Sequence, residues 1–152
     1  MLDFGLVKSV AGPTGEHSLG TSVGLTPGTP AYMAPEMGFS ETVDGRVDIY
    51  ALGCVAYYLM TGKLVFEAEN AFQMFAKHLR DDPVPPSERA DIRIPPALEQ
   101  LVLRCLAKKP EDRPQSAGEL QGLLEAIDLD AWSDAQAADW WKENQLVGSA
   151  EQ

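Results

Sequence analysis

The side chains that could do chemistry are concentrated near the start of the chain. Asp3 stands in the sequence Asp3-Phe4-Gly5, and a carboxylate is a ligand that a hard cation such as Mg²⁺ prefers. Residues 6–33 are rich in Gly, Ser, Thr and Pro and show no sustained period, which predicts a long loop. Hydroxyl groups in such a loop can carry phosphate, which adds about −1.5 to −2 charge. The candidate phosphate acceptors in this loop are Thr14, Ser18, Thr21, Ser22 and Thr26.

The segments after this loop predict a mainly α-helical lobe. Residues 46–61 are apolar nearly all round, which predicts a central helix with no wet face, ended by Gly62 as a C-cap. Three amphipathic helices are predicted after it. Their apolar faces are Phe72, Phe75, Ala76 and Leu79; Leu98, Leu101, Val102 and Cys105; and Leu120, Leu123, Leu124 and Ile127.

The ends and connections of these helices also carry signals. Ser116 and Glu119 form a capping box before the last of the three helices. Five prolines within residues 81–96 predict an extended connection between the first two. Residues 128–152 contain six acidic residues, one Lys and three Trp, with a possible short helix capped by Ser133 and Gln136. We expect that helix to dock back on the lobe; the alternative is that Trp132, Trp140 and Trp141 form a partner-binding patch.

Charge and composition exclude several classes of protein. The net charge is −11 and there is no basic stripe, which argues against binding to nucleic acid or an anionic membrane surface. The longest apolar run is too short to span a bilayer. Cys54 and Cys105 lie in apolar runs and are predicted to be buried thiols, which fits a cytoplasmic location. His17 and His78 have no second ligand spaced for a metal, and both are predicted to be solvated.

Four motifs occur together, in the order and at the spacing of protein kinases. Each is weak alone, whereas the set is specific. The motifs are Asp3-Phe4-Gly5, the stretch from Gly28 to Glu36 ending in Ala34-Pro35-Glu36, the stretch from Asp48 to Gly53, and Arg113-Pro114. The chain therefore resembles the protein kinase family over residues 1–127. The residues that follow Asp48 resemble those of the bacterial eukaryotic-like serine/threonine kinases. The resemblance implies an activation segment at 3–36 and a helical C-terminal lobe at 37–127.

The resemblance assigns roles to residues of the loop. Asp3 matches the metal-binding and catalytic aspartate, which holds Mg²⁺ against ATP. Phe4 would pack in the core, and Gly5 would give the turn its backbone freedom. Gly28 and Thr29 match the loop that receives the substrate, in the form typical of serine/threonine kinases. Thr21, Ser22 and Thr26 stand at the offsets of family phosphosites.

Three further residues match structural positions of the family. Glu36 and Arg113 match a buried ion pair that joins the end of the loop to a late helix. Arg suits this pair because its planar fork meets a carboxylate bidentately. Asp48 matches an aspartate that caps the catalytic loop from the central helix.

The sequence contains only the later part of the family pattern. It has no Gly-rich phosphate loop, no Val-Ala-Ile-Lys strand and no His-Arg-Asp loop, so the N-terminal ATP-binding lobe is absent. The implied function is ATP-dependent transfer of phosphate to serine or threonine of protein substrates. We expect the fragment to be inactive alone and to expose apolar surface where the missing part would pack. The alternatives are a non-catalytic binding or scaffold module and a gene remnant.

Overall fold

All the regular secondary structure in the part of the chain that the structure describes is helical. This computed structural model describes residues 29–40, 42–129 and 132–145. Its five α-helices are α1 Arg46–Thr61, α2 Ala71–Arg80, α3 Pro96–Cys105, α4 Ala117–Glu125 and α5 Asp134–Gln145. Short 3-10 helices cover Pro30–Tyr32, Pro35–Gly38, Pro86–Glu88 and Pro110–Asp112. A mainly helical lobe is therefore confirmed, and no strand occurs in these ranges.

The central helix α1 has the predicted bounds and C-cap. Gly62 adopts φ 67°, and its N–H donates to the Tyr58 carbonyl at 2.7 Å. A left-handed residue at this position is nearly free of strain only for glycine. Tyr50, Cys54 and Tyr57 lie in the main core. The other buried residues of this core are Ala31, Ala34, Val65, Phe66, Met74, Val102 and Leu106.

The expectation that α1 has no wet face was wrong. One face packs into the lobe, but the opposite face exposes a stripe of apolar side chains, in which Leu59 is 77% exposed. The other members of this stripe are Leu52, Val55 and Tyr58. Helical periodicity cannot show this, because a helix that is apolar all round can face solvent wherever no neighbour covers it.

Helix α3 packs closely on α1 through Gly53. A second buried cluster there joins Ile49, Leu101, Cys105 and Leu120, which confirms the predicted apolar faces of α3 and, at Leu120, of α4. The Ser116 Oγ accepts from the Glu119 N–H at 3.0 Å as predicted. The Glu119 carboxylate, however, accepts from the Gln115 N–H, one residue before the cap.

A substitution at Gly53 tests the close approach of α1 and α3. A Cβ added there would lie 2.8 Å from the Cβ of Cys105, so Gly53→Ala should destabilise the fold by ~1–3 kcal/mol through overpacking. The matched control is Gly122→Ala in α4, where a Cβ meets nothing within 4 Å. That change should stabilise by ~0.5–1 kcal/mol, because alanine favours the helix over glycine. Urea unfolding measures both, and equal effects of one sign would contradict the packing.

Helix α2 turns a different face to the core from the predicted one. Its buried residues are Met74 and His78, whereas Phe72, from the predicted apolar face, is 83% exposed. Phe75, Ala76 and Leu79 are half-buried. The 3-10 helices Pro30–Tyr32 and Pro35–Gly38 pack against this helix, so it supports the segment that enters the lobe from the N-terminal side.

The acidic C-terminal segment contains α5, at the place where the sequence predicts a short helix. The Ser133–Gln136 cap is present, with the Gln136 N–H donating to Ser133 Oγ at 3.2 Å. The Trp140 and Trp141 rings meet edge to face, with centroids 5.0 Å apart. Trp132, Trp140 and Trp141 are all exposed, and docking of α5 on the lobe stays a prediction.

Candidate functional site

A buried ion pair fastens the segment 29–36 to the helical lobe. Glu36 stands in the 3-10 helix Pro35–Gly38, and Arg113 directly follows the 3-10 helix Pro110–Asp112. The two Arg113 Nη atoms donate to the two carboxylate oxygens of Glu36 at 2.7 and 2.8 Å. Arg113 is 0% exposed and Glu36 is 7% exposed. The predicted bidentate contact is therefore present in the structure.

Arg113 has an acceptor for every hydrogen-bond donor that it carries. A guanidinium has five N–H donors, and two of them meet Glu36. The other three meet backbone carbonyl groups. These acceptors are Ala107 O at 2.8 Å, Arg46 O at 3.0 Å and Lys108 O at 3.1 Å. Because the charge is fully buried, this complete set of partners is needed to offset the free-energy cost of removing it from water.

Thr29 lies at the surface, immediately before the anchored residues. It is exposed, and its carbonyl accepts from the Tyr32 N–H at 3.0 Å as the N-cap of the 3-10 helix Pro30–Tyr32. The Thr29 side chain makes no capping hydrogen bond. Ala31, Met33 and Ala34 are buried. The backbone that follows Thr29 is thus held in the core, while its hydroxyl faces solvent.

Asp48 stands in the first turn of α1 and is exposed. It lines an open groove of about 640 Å³ between α1 and α4. The floor of the groove is apolar and includes Ile49, Leu52, Leu120 and Leu124. At one end, Arg46 binds Asp44, with Nη2 and Oδ2 2.7 Å apart, and its hydrogen bonds hold the pKa of that carboxyl below its usual value. Asp48 is therefore accessible to a group placed in the groove.

His78 is buried, so the prediction that it is solvated was wrong. It is 0% exposed, and its Nδ1 lies 2.7 Å from the Tyr50 hydroxyl. Burial, and then the charge of Lys108, lower the pKa of His78 to about 4. A signal was present in the sequence, because Met74 and His78 are spaced i, i+4 and so share one face of α2. The larger apolar stripe around Phe72 obscured it.

The other predicted chemical groups divide into two sets. Cys54 and Cys105 are buried free thiols as predicted, and burial raises their pKa values to about 12 and about 11. Within the described ranges, no cluster of three or more His, Cys, Asp or Glu residues could hold a metal. Several predicted positions lie outside the described residues. These are Asp3, Phe4, Gly5, His17, Thr21, Ser22, Thr26 and Gly28.

The Glu36–Arg113 ion pair that the kinase resemblance predicts is present in the structure. A sequence profile of the protein kinase domain matches residues 1–123. The chain belongs to the protein kinase family. The kinase match covers the helical lobe and stops before the acidic segment that contains α5.

The similar proteins are bacterial serine/threonine kinases. Serine/threonine-protein kinase pkn3 of Myxococcus xanthus is 44% identical over 129 residues, which are 84% of this chain and 23% of that protein. Pkn1 of the same organism is 44% identical over 82% of this chain and 17% of its own length. PknB of Mycolicibacterium smegmatis is 41% identical over 82% of this chain and 19% of its own length. The chain thus spans about a fifth of the length of these relatives.

One further finding concerns membranes. No helix within the described ranges is long and apolar enough to cross a bilayer.

Proposed function

We propose that this chain is the substrate-receiving part of a cytoplasmic serine/threonine protein kinase, which transfers phosphate from ATP to protein substrates. The observation that carries the proposal is the anchored segment 29–36. Thr29 is exposed at its start, while the Glu36–Arg113 pair holds its end in the lobe. A rigid backbone with an exposed hydroxyl and a turn at Pro30 suits the docking of an extended peptide beside the acceptor residue.

The proposed roles of the remaining loop residues follow from the kinase motifs. Asp3 would bind Mg²⁺, which supplies charge neutralisation at the phosphates when it is bound with ATP. Gly28 would complete the substrate loop with Thr29. Thr21, Ser22 and Thr26 are the candidate phosphosites. The described residues contain no metal-binding cluster of their own, so no step through the metal is assigned to them.

We propose that the chain does not phosphorylate substrates by itself. The sequence lacks the Gly-rich loop, the strand lysine and the catalytic loop with its base, which position ATP and accept the substrate proton. The exposed stripe on α1 and the groove beside it support this proposal. Apolar surface of this kind is unusual on a complete domain, and we propose that it packs against the ATP-binding part of the kinase.

The alternative is a non-catalytic module that binds proteins through the same segment. The exposure of Thr29 is compatible with that role too, because presenting a docking backbone needs no phosphoryl transfer. A gene remnant is the third reading. Activity in a chain that also contains the ATP-binding lobe distinguishes the kinase from both alternatives.

The test compares the chain with a version extended through the DNA upstream of Met1, each incubated with ATP and Mg²⁺. The extended chain should phosphorylate itself and serine or threonine peptides, whereas the chain alone should give no signal. Asp3→Ala should abolish activity of the extended chain. Thr29→Ala should reduce peptide phosphorylation and leave the KM for ATP unchanged. No activity in the extended chain, or no kinase sequence upstream in any reading frame, would contradict the proposal.

A further inference from the structure

His78 lies between two aromatic rings at the centre of the lobe. Its ring meets Phe66 edge to face with centroids 4.9 Å apart, and Tyr50 with centroids 5.7 Å apart. The Lys108 Nζ donates to the His78 carbonyl at 2.9 Å and lies 4.8 Å from the centre of the Phe66 ring. A fully buried histidine is rarely placed this way without a structural or functional reason.

The surroundings determine which protons the Tyr50–His78 pair carries. Burial raises the pKa of the Tyr50 hydroxyl, so this hydroxyl keeps its proton, and we assign it as the donor to Nδ1 at 2.7 Å. The imidazole is neutral, because burial and the nearby Lys108 ammonium both disfavour its charged form. In a neutral imidazole with Nδ1 accepting, the ring proton is on Nε2.

Helix α2 packs against the 3-10 helix Pro30–Tyr32, which directly follows Thr29. The Nε2 atom of His78 is buried and has no hydrogen-bond partner within the described residues. The backbone of Ala31 interacts with the imidazole closely enough to raise its pKa, against the effects of burial and Lys108. Ala31 belongs to the 3-10 helix Pro30–Tyr32 and is itself buried. His78 is thus one of the two buried residues of the helix that packs on the segment just after Thr29.

Tyr50 connects this contact to the ion pair at the other end of the segment. The Arg113 guanidinium carbon lies 4.8 Å from the centre of the Tyr50 ring, and Arg113 holds Glu36. The Tyr50 side chain therefore meets Arg113 with its ring and His78 with its hydroxyl. Segment 29–36 is held at Glu36 by the ion pair, and its 3-10 helix Pro30–Tyr32 packs against α2, the helix that carries His78.

We propose that His78 is a positioning residue for substrate recognition: its hydrogen bond with Tyr50 holds the face of α2 that packs against the 3-10 helix Pro30–Tyr32, and this packing fixes the helix and with it Thr29. This inference rests on the proposed role of Thr29 in receiving the substrate. The ligand class is a peptide in extended conformation around a serine or threonine. Loosening the helix should weaken the use of peptide and leave the use of ATP unchanged.

The first experiment needs only the chain as it stands. Amide hydrogen exchange is followed at Tyr32 and Met33, whose N–H groups donate to Thr29 O at 3.0 Å and Pro30 O at 3.3 Å. Tyr50→Phe should accelerate exchange at these two amides by ~5-fold, because one buried hydrogen bond contributes on the order of 1 kcal/mol. Tyr57→Phe is the matched control. Tyr57 is equally buried on α1, but its hydroxyl donates to Val84 O at 2.9 Å.

Substitutions of His78 test the hydrogen bond itself. The Asn side-chain oxygen can take the place of Nδ1 as acceptor, so His78→Asn should keep slow exchange at Tyr32 and Met33. His78→Leu removes the acceptor and should accelerate it as Tyr50→Phe does. Unchanged exchange in Tyr50→Phe, equal acceleration in Tyr57→Phe, or the same result for Asn and Leu would each overturn the proposal. If His78→Leu does not fold, Tyr50→Phe with its control still decides the outcome.

The second experiment uses the extended, active kinase. Tyr50→Phe should raise the KM for a serine peptide several-fold, with the KM for ATP unchanged and a smaller effect on kcat. An unchanged peptide KM beside accelerated exchange would overturn the role in substrate recognition. If the extended wild-type chain shows no phosphorylation, the proposed function has failed, and the exchange results still decide whether His78 positions the segment.

Discussion

Replacing Arg113 with methionine is expected to lower the free energy of unfolding by ~3–5 kcal/mol, because it leaves the buried carboxylate of Glu36 without its counter-charge. The substitution keeps much of the side-chain volume but removes all five donors. The two Glu36 oxygens and the backbone carbonyls of Ala107, Arg46 and Lys108 then lose the hydrogen bonds that they accept from Arg113 in the wild type. Urea unfolding of the wild type and the variant, followed by circular dichroism, measures the difference.

The matched control is Arg104→Met, which breaks an ion pair of the same 2.7 Å length at the surface. Arg104 and Glu119 are 41% and 36% exposed, so water screens the pair and its loss should cost less than ~1 kcal/mol. Similar losses for Arg113→Met and Arg104→Met would contradict the account of the buried pair. If Arg113→Met does not fold, Arg113→Lys serves instead, because three donors on one nitrogen cannot satisfy five acceptors.

A double-mutant cycle separates the pair from its surroundings. Glu36→Gln removes the buried negative charge, so its combination with Arg113→Met should be less destabilising than the sum of the two single changes. The coupling should exceed ~1 kcal/mol, since the residues are in direct contact. Additive effects would mean that the backbone carbonyls, rather than Glu36, account for the role of Arg113.

The Glu36–Arg113 ion pair and the ends of the helices could be predicted from the sequence because they depend on local or family-wide signals. Gly62 is read as a C-cap because a left-handed residue is needed where α1 ends. Ser116 is read as an N-cap because its hydroxyl reaches the N–H three residues later. Glu36 and Arg113 are 77 positions apart, and only the kinase resemblance paired them.

The face of α2 could not be predicted from periodicity. Two stripes were available, one around Phe72 and one containing Met74 and His78. Hydrophobicity favours the first, but the second is buried because its histidine meets a hydroxyl on α1 and its helix packs against the 3-10 helix Pro30–Tyr32. The deciding partners are distant in sequence, so no local signal contains them. The solvent-exposed face of α1 could not be predicted for a related reason. Periodicity shows which side chains a helix can bury, and the neighbouring elements decide which of them are buried.

The buried imidazole also makes stability depend on pH. The unfolded chain protonates His78 at its ordinary pKa of 6.5, whereas the folded chain does so only near pH 4. Between these values the unfolded state binds more protons, so stability falls as the pH falls and is constant above about pH 7 for this group. The loss should reach ~2 kcal/mol by pH 5 and ~3 kcal/mol by pH 4, because one pKa unit corresponds to about 1.36 kcal/mol.

The groups around His78 separate its contribution from that of other residues. The Lys108 ammonium and the Tyr50 hydroxyl meet it, and neither of them changes charge between pH 7 and pH 5. The carboxyl groups of Asp44 and Glu119 have lowered pKa values, so they reduce stability mainly below this window. Urea unfolding at intervals from pH 7 to pH 5 therefore reports chiefly on histidine.

The chain has two histidines, so a pair of variants assigns the effect. His78→Asn has no titrating group at this position and should lose most of the pH dependence between 7 and 5. His17→Gln should keep it. A wild-type slope retained in His78→Asn would show that the imidazole is not desolvated as the structure has it. The same result would remove the reason for a neutral acceptor at Nδ1, and the Tyr50–His78 hydrogen bond would then need another assignment of its protons.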